Sequence, residues 1–148
     1  MDVVATVEVP VTCDRLFSFV SDLSNYESWL EMVHSVNRLE DESNDNNPGW
    51  LVELQARLGP FARSKRLRMV RTVCNAPNVV VFERVEQDSR RHSEWILRAS
   101  ISETSNGSSL ETNLHYSGSL FTGGLLERAL SDQIEHGRER LMGLLIST

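Results

Sequence analysis

The chain changes its hydrophobic period once, and this change most constrains its fold. Within residues 3–9, 50–58 and 95–101, apolar side chains recur at every second position, a spacing typical of strands with one buried face. From Leu125 the spacing becomes helical and marks a single apolar face over more than 20 residues. An antiparallel sheet with one apolar face needs a cover, and only this terminal helix is long enough to supply it.

The predicted order of elements is one strand, two short helices, six strands and one long helix. Pro10 ends the first strand, and Thr12 is placed to cap the helix that follows. Tyr26 and Trp29 lie in the second short helix and share one of its faces because they are three residues apart. The strand over 79–86 has no assignable inner face, since its first four residues are all apolar.

Composition narrows the class of protein. The length of 148 residues suits one domain over 1–148, and a hydrophobic fraction of 40% allows a packed core. The net charge of −6 argues against a nucleic-acid binder, which would need a basic face. Cys13 and Cys74 are too few for a disulfide framework, and no apolar run approaches the ~20 residues of a membrane span. We expect a reduced, cytoplasmic protein without integral membrane association.

The histidines predict no metal site. His34, His92, His115 and His136 each lack a second ligand at metal-binding spacing. No Gly-x-Ser-x-Gly elbow is present, although Ser-His-Asp catalysis stays open on sequence grounds. We therefore predict no metal and no cofactor, and the catalytic residues, if any exist, stay unknown.

The first third of the chain carries a recognisable motif. Residues 7–36 contain a strand closed by Pro10, a helix with Phe17 and Val20, and then Tyr26-x-x-Trp29. This arrangement resembles the N-terminal signature of the START/Bet v 1-like SRPBCC superfamily, which includes polyketide cyclases and lipid-transfer proteins. The later Gly-Pro pair at 59–60 and the long terminal helix are also similar to that family.

The resemblance implies an α+β helix-grip fold, in which a curved antiparallel sheet of about seven strands wraps the C-terminal helix. It also implies a cavity between sheet and helix. Members of the superfamily bind sterols, lipids, quinones, plant hormones or polyketides, and a minority catalyse cyclisation or dehydration. The metal-dependent oxygenases among the relatives do not fit, because no pair of histidines with a nearby carboxylate shows their ligand spacing.

Arg71 is the most informative candidate for ligand binding. If Leu67 and Met69 face the interior, then Arg71 does too, and an interior arginine needs a polar partner. One interpretation is a cavity arginine whose planar donor fork holds a carboxylate, phenolate or enolate of the ligand. Two alternatives stay open: an ion pair with an acid such as Glu83, or exposure through a bulge between residues 62 and 73.

Large apolar side chains on the inner faces are usually core, but in this fold the gap between sheet and helix is also the pocket. The hydroxyl groups of Tyr26 and Tyr116 are placed to orient a ligand or to serve as acids. Trp29 and Tyr26 either guard the pocket mouth or hold the short helices to the sheet. Besides Arg71, the predicted ligand-binding residues are Trp50, Met69, Phe82, Trp95, Tyr116, Tyr26, Trp29, Leu126 and Leu130.

Three functional hypotheses follow. The first is a binder of a small hydrophobic ligand, such as a lipid, polyketide or quinone. The second is a polyketide cyclase or aromatase, in which Arg71 steadies an enolate and a tyrosine passes protons. The third is a protein-interaction module that uses the acidic loop 40–47 or the arginine-bearing strand face, and a protein partner or homodimer stays open. The inner faces are poor in acids and histidines, which favours the binder.

Overall fold

The computed structural model describes residues 2–40, 47–58, 61–117 and 125–146. The 59–60 pair and most of the acidic loop (41–46) lie outside the described residues. The elements are β1 (Asp2–Val9), α1 (Cys13–Val20), a 3₁₀ helix (Leu23–Ser28), β2 (Val33–Leu39), β3 (Gly49–Leu58), β4 (Phe61–Asn75), β5 (Val79–Arg84), β6 (Trp95–Thr104), β7 (Gly107–Tyr116) and α2 (Leu125–Ile146).

The strands form one seven-stranded sheet in the order β1-β7-β6-β5-β4-β3-β2, and every neighbouring pair is antiparallel. The curved sheet and the C-terminal helix α2 confirm the predicted helix-grip α+β fold. The second short helix is a 3₁₀ helix that begins at Leu23. None of the helices in the described part of the chain is long and apolar enough to cross a membrane.

Local capping explains where the two short helices begin. The side chain of Thr12 accepts a hydrogen bond from the Arg15 backbone N–H at 3.2 Å, as predicted for the start of α1. Asp22 caps the 3₁₀ helix in the same way, with the Ser24 N–H at 2.9 Å. The chain therefore turns between the two helices without leaving these donors unpaired.

The register of β5 resolves the inner face that its sequence leaves open. Val80 and Phe82 are fully buried, whereas Val79 and Val81 are only partly covered. Phe82 lies opposite Leu97 of β6 and Arg71 of β4, so these three side chains share the concave face. The inner face of β5 is thus set by its neighbours.

The inward alternation of β4 does not continue to Val73, which is the next alternate position after Leu67, Met69 and Arg71. The pairing of β4 with β5 shifts between Arg71 and Val73, and Val73 is 36% exposed. A bulge of this kind changes the face to which the following residues point. The alternation in β4 therefore holds through Leu67, Met69 and Arg71 and fails after them.

Hydrogen bonds attach helix α2 to the first third of the chain, among them those made by Gln133 and Arg15. The side-chain oxygen Oε1 of Gln133 accepts a hydrogen bond from the Met32 backbone N–H at 2.7 Å. Near the other end, Nε and Nη2 of Arg15 donate to the Leu145 carbonyl at 3.1 and 2.9 Å. A cation beside the last carbonyls of a helix is also favoured by the helix dipole.

Gly137 allows α2 to approach Trp29 closely. A Cβ atom at position 137 would lie 2.5 Å from the Trp29 carbonyl oxygen and 3.2 Å from its ring atom Cε3. Both distances are shorter than a normal van der Waals contact, so this site excludes any larger residue unless the helix moves. At Gly143, in the same helix, an added Cβ atom would meet no atom of the described residues within 4 Å.

We predict that Gly137→Ala destabilises the protein by about 1–3 kcal/mol, because the overpacking at Trp29 outweighs the better helix propensity of alanine. Gly143→Ala is the matched control and should stabilise the protein by up to about 1 kcal/mol. Urea unfolding followed by circular dichroism measures both. Equal stabilisation by the two substitutions would contradict the close contact at Gly137.

Candidate functional site

An apolar cavity of about 100 Å³ lies between the concave face of the sheet, the 3₁₀ helix and α2. Strands from both halves of the chain contribute to its wall, and α2 contributes Ile134. The lining residues are Val3, Leu23, Tyr26, Trp29, Leu30, Met32, Val33, Val52, Leu54, Leu67, Met69, Trp95, Leu97, Thr112, Leu114 and Ile134.

The polar side chains of this wall already have partners on the backbone. The Tyr26 hydroxyl donates to the Val20 carbonyl at 3.0 Å, and the Thr112 hydroxyl donates to the Ala5 carbonyl at 3.4 Å. Burial raises the pKa of Tyr26 well above its usual value, because the phenolate would be desolvated. The Tyr26 hydroxyl therefore stays protonated near neutral pH and serves to hold the end of α1.

The buried indole N–H groups, in contrast to these hydroxyl groups, lack hydrogen-bond partners in the described part of the chain. The Nε1 atoms of Trp29, Trp50 and Trp95 are buried and have no hydrogen-bond partner among the described residues. Trp29 and Trp95 belong to the cavity lining, whereas Trp50 does not. Among the described residues, the wall thus contains two tryptophans with unpaired buried donors and no charged side chain.

The structure brings four of the predicted site residues to the cavity wall. These are Tyr26, Trp29, Met69 and Trp95. Their role in binding a ligand stays a prediction, and the side chains of Leu126 and Leu130 lie outside the described residues.

The other predicted aromatic residues lie beside this wall. Trp50 and Phe82 pack edge to face in the core with their ring centroids 5.5 Å apart, and the Arg38 guanidinium lies 5.1 Å from the Trp50 ring. Tyr116 stacks on Trp95 at 5.4 Å. These side chains support the lining from neighbouring positions on the same sheet.

Arg71 lies on the concave face but has a structural partner. Its Nη1 donates to the Ser21 carbonyl at 2.9 Å, and Ser21 is the C-terminal cap of α1. Glu83 lies opposite Val70 and therefore belongs to the other face of the sheet, so it is not placed to pair with Arg71. The described cavity lining does not include Arg71.

A second arginine on the inner face, Arg84, was not predicted from the sequence. Its side chain is 8% exposed, and its Nε forms an ion pair with Glu86 Oε2 at 2.7 Å. Its Nη1 also donates to the Ser93 carbonyl and hydroxyl oxygens at 3.2 and 3.1 Å. Arg84 lies two residues after Phe82, so it shares the inner face of the strand. This signal can be used only once the inner face of 79–86 is known.

Many lining residues lie on strand faces that the sequence predicts to point inward. They were not predicted as site residues because they are ordinary aliphatic side chains. Val52, Leu54 and Leu97 are examples. Leu23, Met32 and Val33 come from the segment around the 3₁₀ helix, where no simple period applies. No sequence signal separates an aliphatic side chain that borders a cavity from one that fills the core.

A family model described as polyketide cyclase / dehydrase and lipid transport matches residues 1–144. Because this match covers almost all of the chain, the protein belongs to that family, and the predicted START/Bet v 1-like SRPBCC membership is confirmed. Family and fold together indicate hydrophobic-ligand binding or polyketide cyclase-like chemistry. No curated protein sequence matches the chain.

Several solved structures share the fold over nearly the whole chain. A START superfamily protein from Mycobacterium smegmatis is 16% identical, with a TM-score of 0.70 and coverage of 99% of this chain and 97% of that one. A protein from Thermus thermophilus is 15% identical, with a TM-score of 0.74 and coverage of 99% and 98%. The di-domain ARO/CYC StfQ from the steffimycin biosynthetic pathway is 13% identical, with a TM-score of 0.62 and coverage of 99% and 50%. At these identities the likeness establishes the fold.

We predict that Tyr26 makes stability fall at alkaline pH. The folded state keeps the phenol proton above pH ~10, where the unfolded chain releases it, so rising pH favours unfolding. The free energy of unfolding should therefore decrease by up to about 1.4 kcal/mol per pH unit above that point. Urea titrations of the wild type and Tyr26→Phe across this range test the linkage, and identical pH slopes would refute it.

We also predict a structural effect of Arg71. Arg71→Leu should lower the free energy of unfolding by about 1–2 kcal/mol, because the Ser21 carbonyl loses a charged donor. Arg66→Leu, at an exposed position of the same strand, is the control and should stay within about 0.5 kcal/mol of the wild type. Equal stabilities of the two variants would show that the Arg71–Ser21 contact contributes nothing.

Proposed function

We propose that the protein binds a small apolar molecule in the cavity between the sheet and α2. The observation that carries this proposal is a wall in which the 16 described lining residues include no charged side chain, around a volume of about 100 Å³. Transfer of an apolar molecule into such a space is favourable by about 25 cal/mol per Å² of apolar surface removed from water. The lipid transport named in the family description supports the same conclusion.

The volume of the cavity favours a molecule of about one ring. An engineered apolar cavity of about 150 Å³ in another protein stays dry and takes up one benzene. The cavity here, at about 100 Å³, suits a ligand of that order after small side-chain adjustments. A long lipid or a multi-ring polyketide would need several lining side chains to rotate or α2 to move outward.

The polar side chains near the cavity favour a ligand-binding protein over a cyclase. Cyclase chemistry needs acids, bases or fixed donors that converge on the atoms where charge develops. Arg71 and Tyr26, two of the groups expected for that chemistry, donate to the carbonyls of Ser21 and Val20. The match to an ARO/CYC protein supports the cyclase alternative through the fold only.

Titration of the ¹⁵N-labelled protein with methylenecyclohexane tests the proposal. We expect saturable shifts of backbone amide signals in β6 and β7, which carry Leu97 and Leu114 of the wall. Native mass spectrometry of gently purified protein, followed by organic extraction, would identify a resident molecule. The absence of saturable binding by this probe would refute a preformed apolar binding site.

We predict that Leu97→Phe weakens binding of methylenecyclohexane about tenfold, because the added ring atoms take up space that the probe needs. Leu51→Phe is the matched control, since Leu51 is 37% exposed and lies outside the cavity lining. Calorimetric or NMR titration gives both dissociation constants. An equal loss of affinity in the two variants would place the probe elsewhere.

A further inference from the structure

We infer that two copies of the protein associate through the convex face of the sheet, where Glu83 of each copy pairs with Arg98 of the other. The contact surface is the outer side of β4, β5 and β6, which points away from the cavity. This inference goes beyond the proposed binding function and does not depend on it, because neither residue is among the described lining of the cavity.

The starting observation is a difference in polarity across the convex face. Over β7 the outward positions are all polar: Ser109, Glu111, Asn113 and His115. Over β4, β5 and β6 a group of outward positions carries β-branched aliphatic side chains instead, and we call this group the aliphatic patch: Val70, Val73, Val81 and Ile96. Single exposed aliphatic residues are ordinary, but a contiguous group on a surface is typical of an interaction site.

The strand register makes the residues of the aliphatic patch neighbours. Val73 lies opposite Val81, and Glu83 lies between Val70 of β4 and Ile96 of β6. Val81 and Glu83 are alternate residues of β5 and therefore point to the same side of the sheet. Val73 is 36% exposed, and the other three aliphatic side chains are only partly covered. The patch thus surrounds the Glu83 carboxylate with apolar surface that water still reaches.

Two opposite charges in this region have no ionic partner. The ion pairs of the described residues include neither Glu83 nor Arg98. Arg98 lies opposite Val81 and is exposed, and its Nε donates a long hydrogen bond of 3.4 Å to the Ser100 hydroxyl. A carboxylate that is partly covered by aliphatic side chains loses hydration, so a counter-charge brought by a second molecule is favourable.

The geometry fits a second copy of the same chain. Glu83 pairs with Ile96 and Arg98 pairs with Val81, so the two charged residues are diagonal neighbours on adjacent strands. A two-fold axis that lies in the interface and runs midway between them places Arg98 of one copy over Glu83 of the other, and the reverse. The aliphatic patches then cover each other. The surface is therefore complementary to itself in both charge and polarity.

Arg68 is the other arginine beside the patch, and it is less suited to this pairing. Its Nη1 already donates to the Val85 carbonyl at 2.7 Å. The aliphatic patch occupies only part of one sheet face, whereas stable complexes bury about 800 Å² per partner. We therefore expect a weak dimer with a dissociation constant of about 10–100 µM.

Analytical ultracentrifugation of the full chain between about 1 and 500 µM measures this equilibrium. Glu83→Arg and Arg98→Glu should each weaken self-association about tenfold or more, because each substitution places like charges opposite one another in the dimer. An equimolar mixture of the two variants should associate about as tightly as the wild type, since both contacts then join an arginine with a glutamate again. Recovery in the mixture also shows that both variants are folded.

Glu8→Arg and Arg138→Glu are the matched controls. Both residues are exposed and lie outside the aliphatic patch, and the substitutions change the net charge by the same amounts. They should leave the dissociation constant within about twofold of the wild-type value.

Three results would overturn the inference: a wild type that stays monomeric throughout, single variants that associate like the wild type, or a mixture that associates no better than its components. Methylenecyclohexane should bind Glu83→Arg and the wild type with equal affinity, because the patch and the cavity lie on opposite sides of the sheet. Loss of self-association with probe binding intact therefore separates this inference from the proposed function.

Discussion

The close approach of α2 to Trp29 at Gly137 is the contact on which the rest of the structure depends. A curved sheet exposes a concave apolar face that must be covered, and α2 covers it only at the depth that a glycine permits. At this depth Gln133 reaches the Met32 N–H, and Ile134 enters the wall of the cavity. The absence of a side chain at position 137 thus sets how much space remains between the helix and the sheet.

Polar side chains near the cavity serve mainly to hold the scaffold. Arg71 and Tyr26 both donate to carbonyls at the end of α1, at Ser21 and Val20, and so fix that end against the sheet. Arg84 is neutralised by Glu86. The same bonds that order this part of the fold remove polar groups from possible chemistry in the cavity. In the proposed binding function, selectivity is then left mainly to the shape of the cavity.

Much of the architecture could be predicted from period alone, because alternate residues of a half-buried strand must differ in polarity. The inner face of β6, with Trp95, Ala99 and Ile101 buried, follows directly from its alternation. The face of 79–86 and the position of the bulge after Arg71 could not be predicted, since both depend on pairing with neighbouring strands. The partner of Arg71 could not be predicted either, because the Ser21 carbonyl is 50 residues away and a backbone carbonyl carries no sequence signal.

The pairing of β1 has a consequence for how the chain folds during synthesis. β1 is made before the other strands, yet its partner on the sheet is β7, and Arg15 of α1 reaches a carbonyl 130 residues further along. Such distant contacts cost loop entropy before they contribute stability, which makes folding slow. The apolar residues of β1 therefore stay unpaired until most of the chain has been translated, and they are exposed to other chains during that interval.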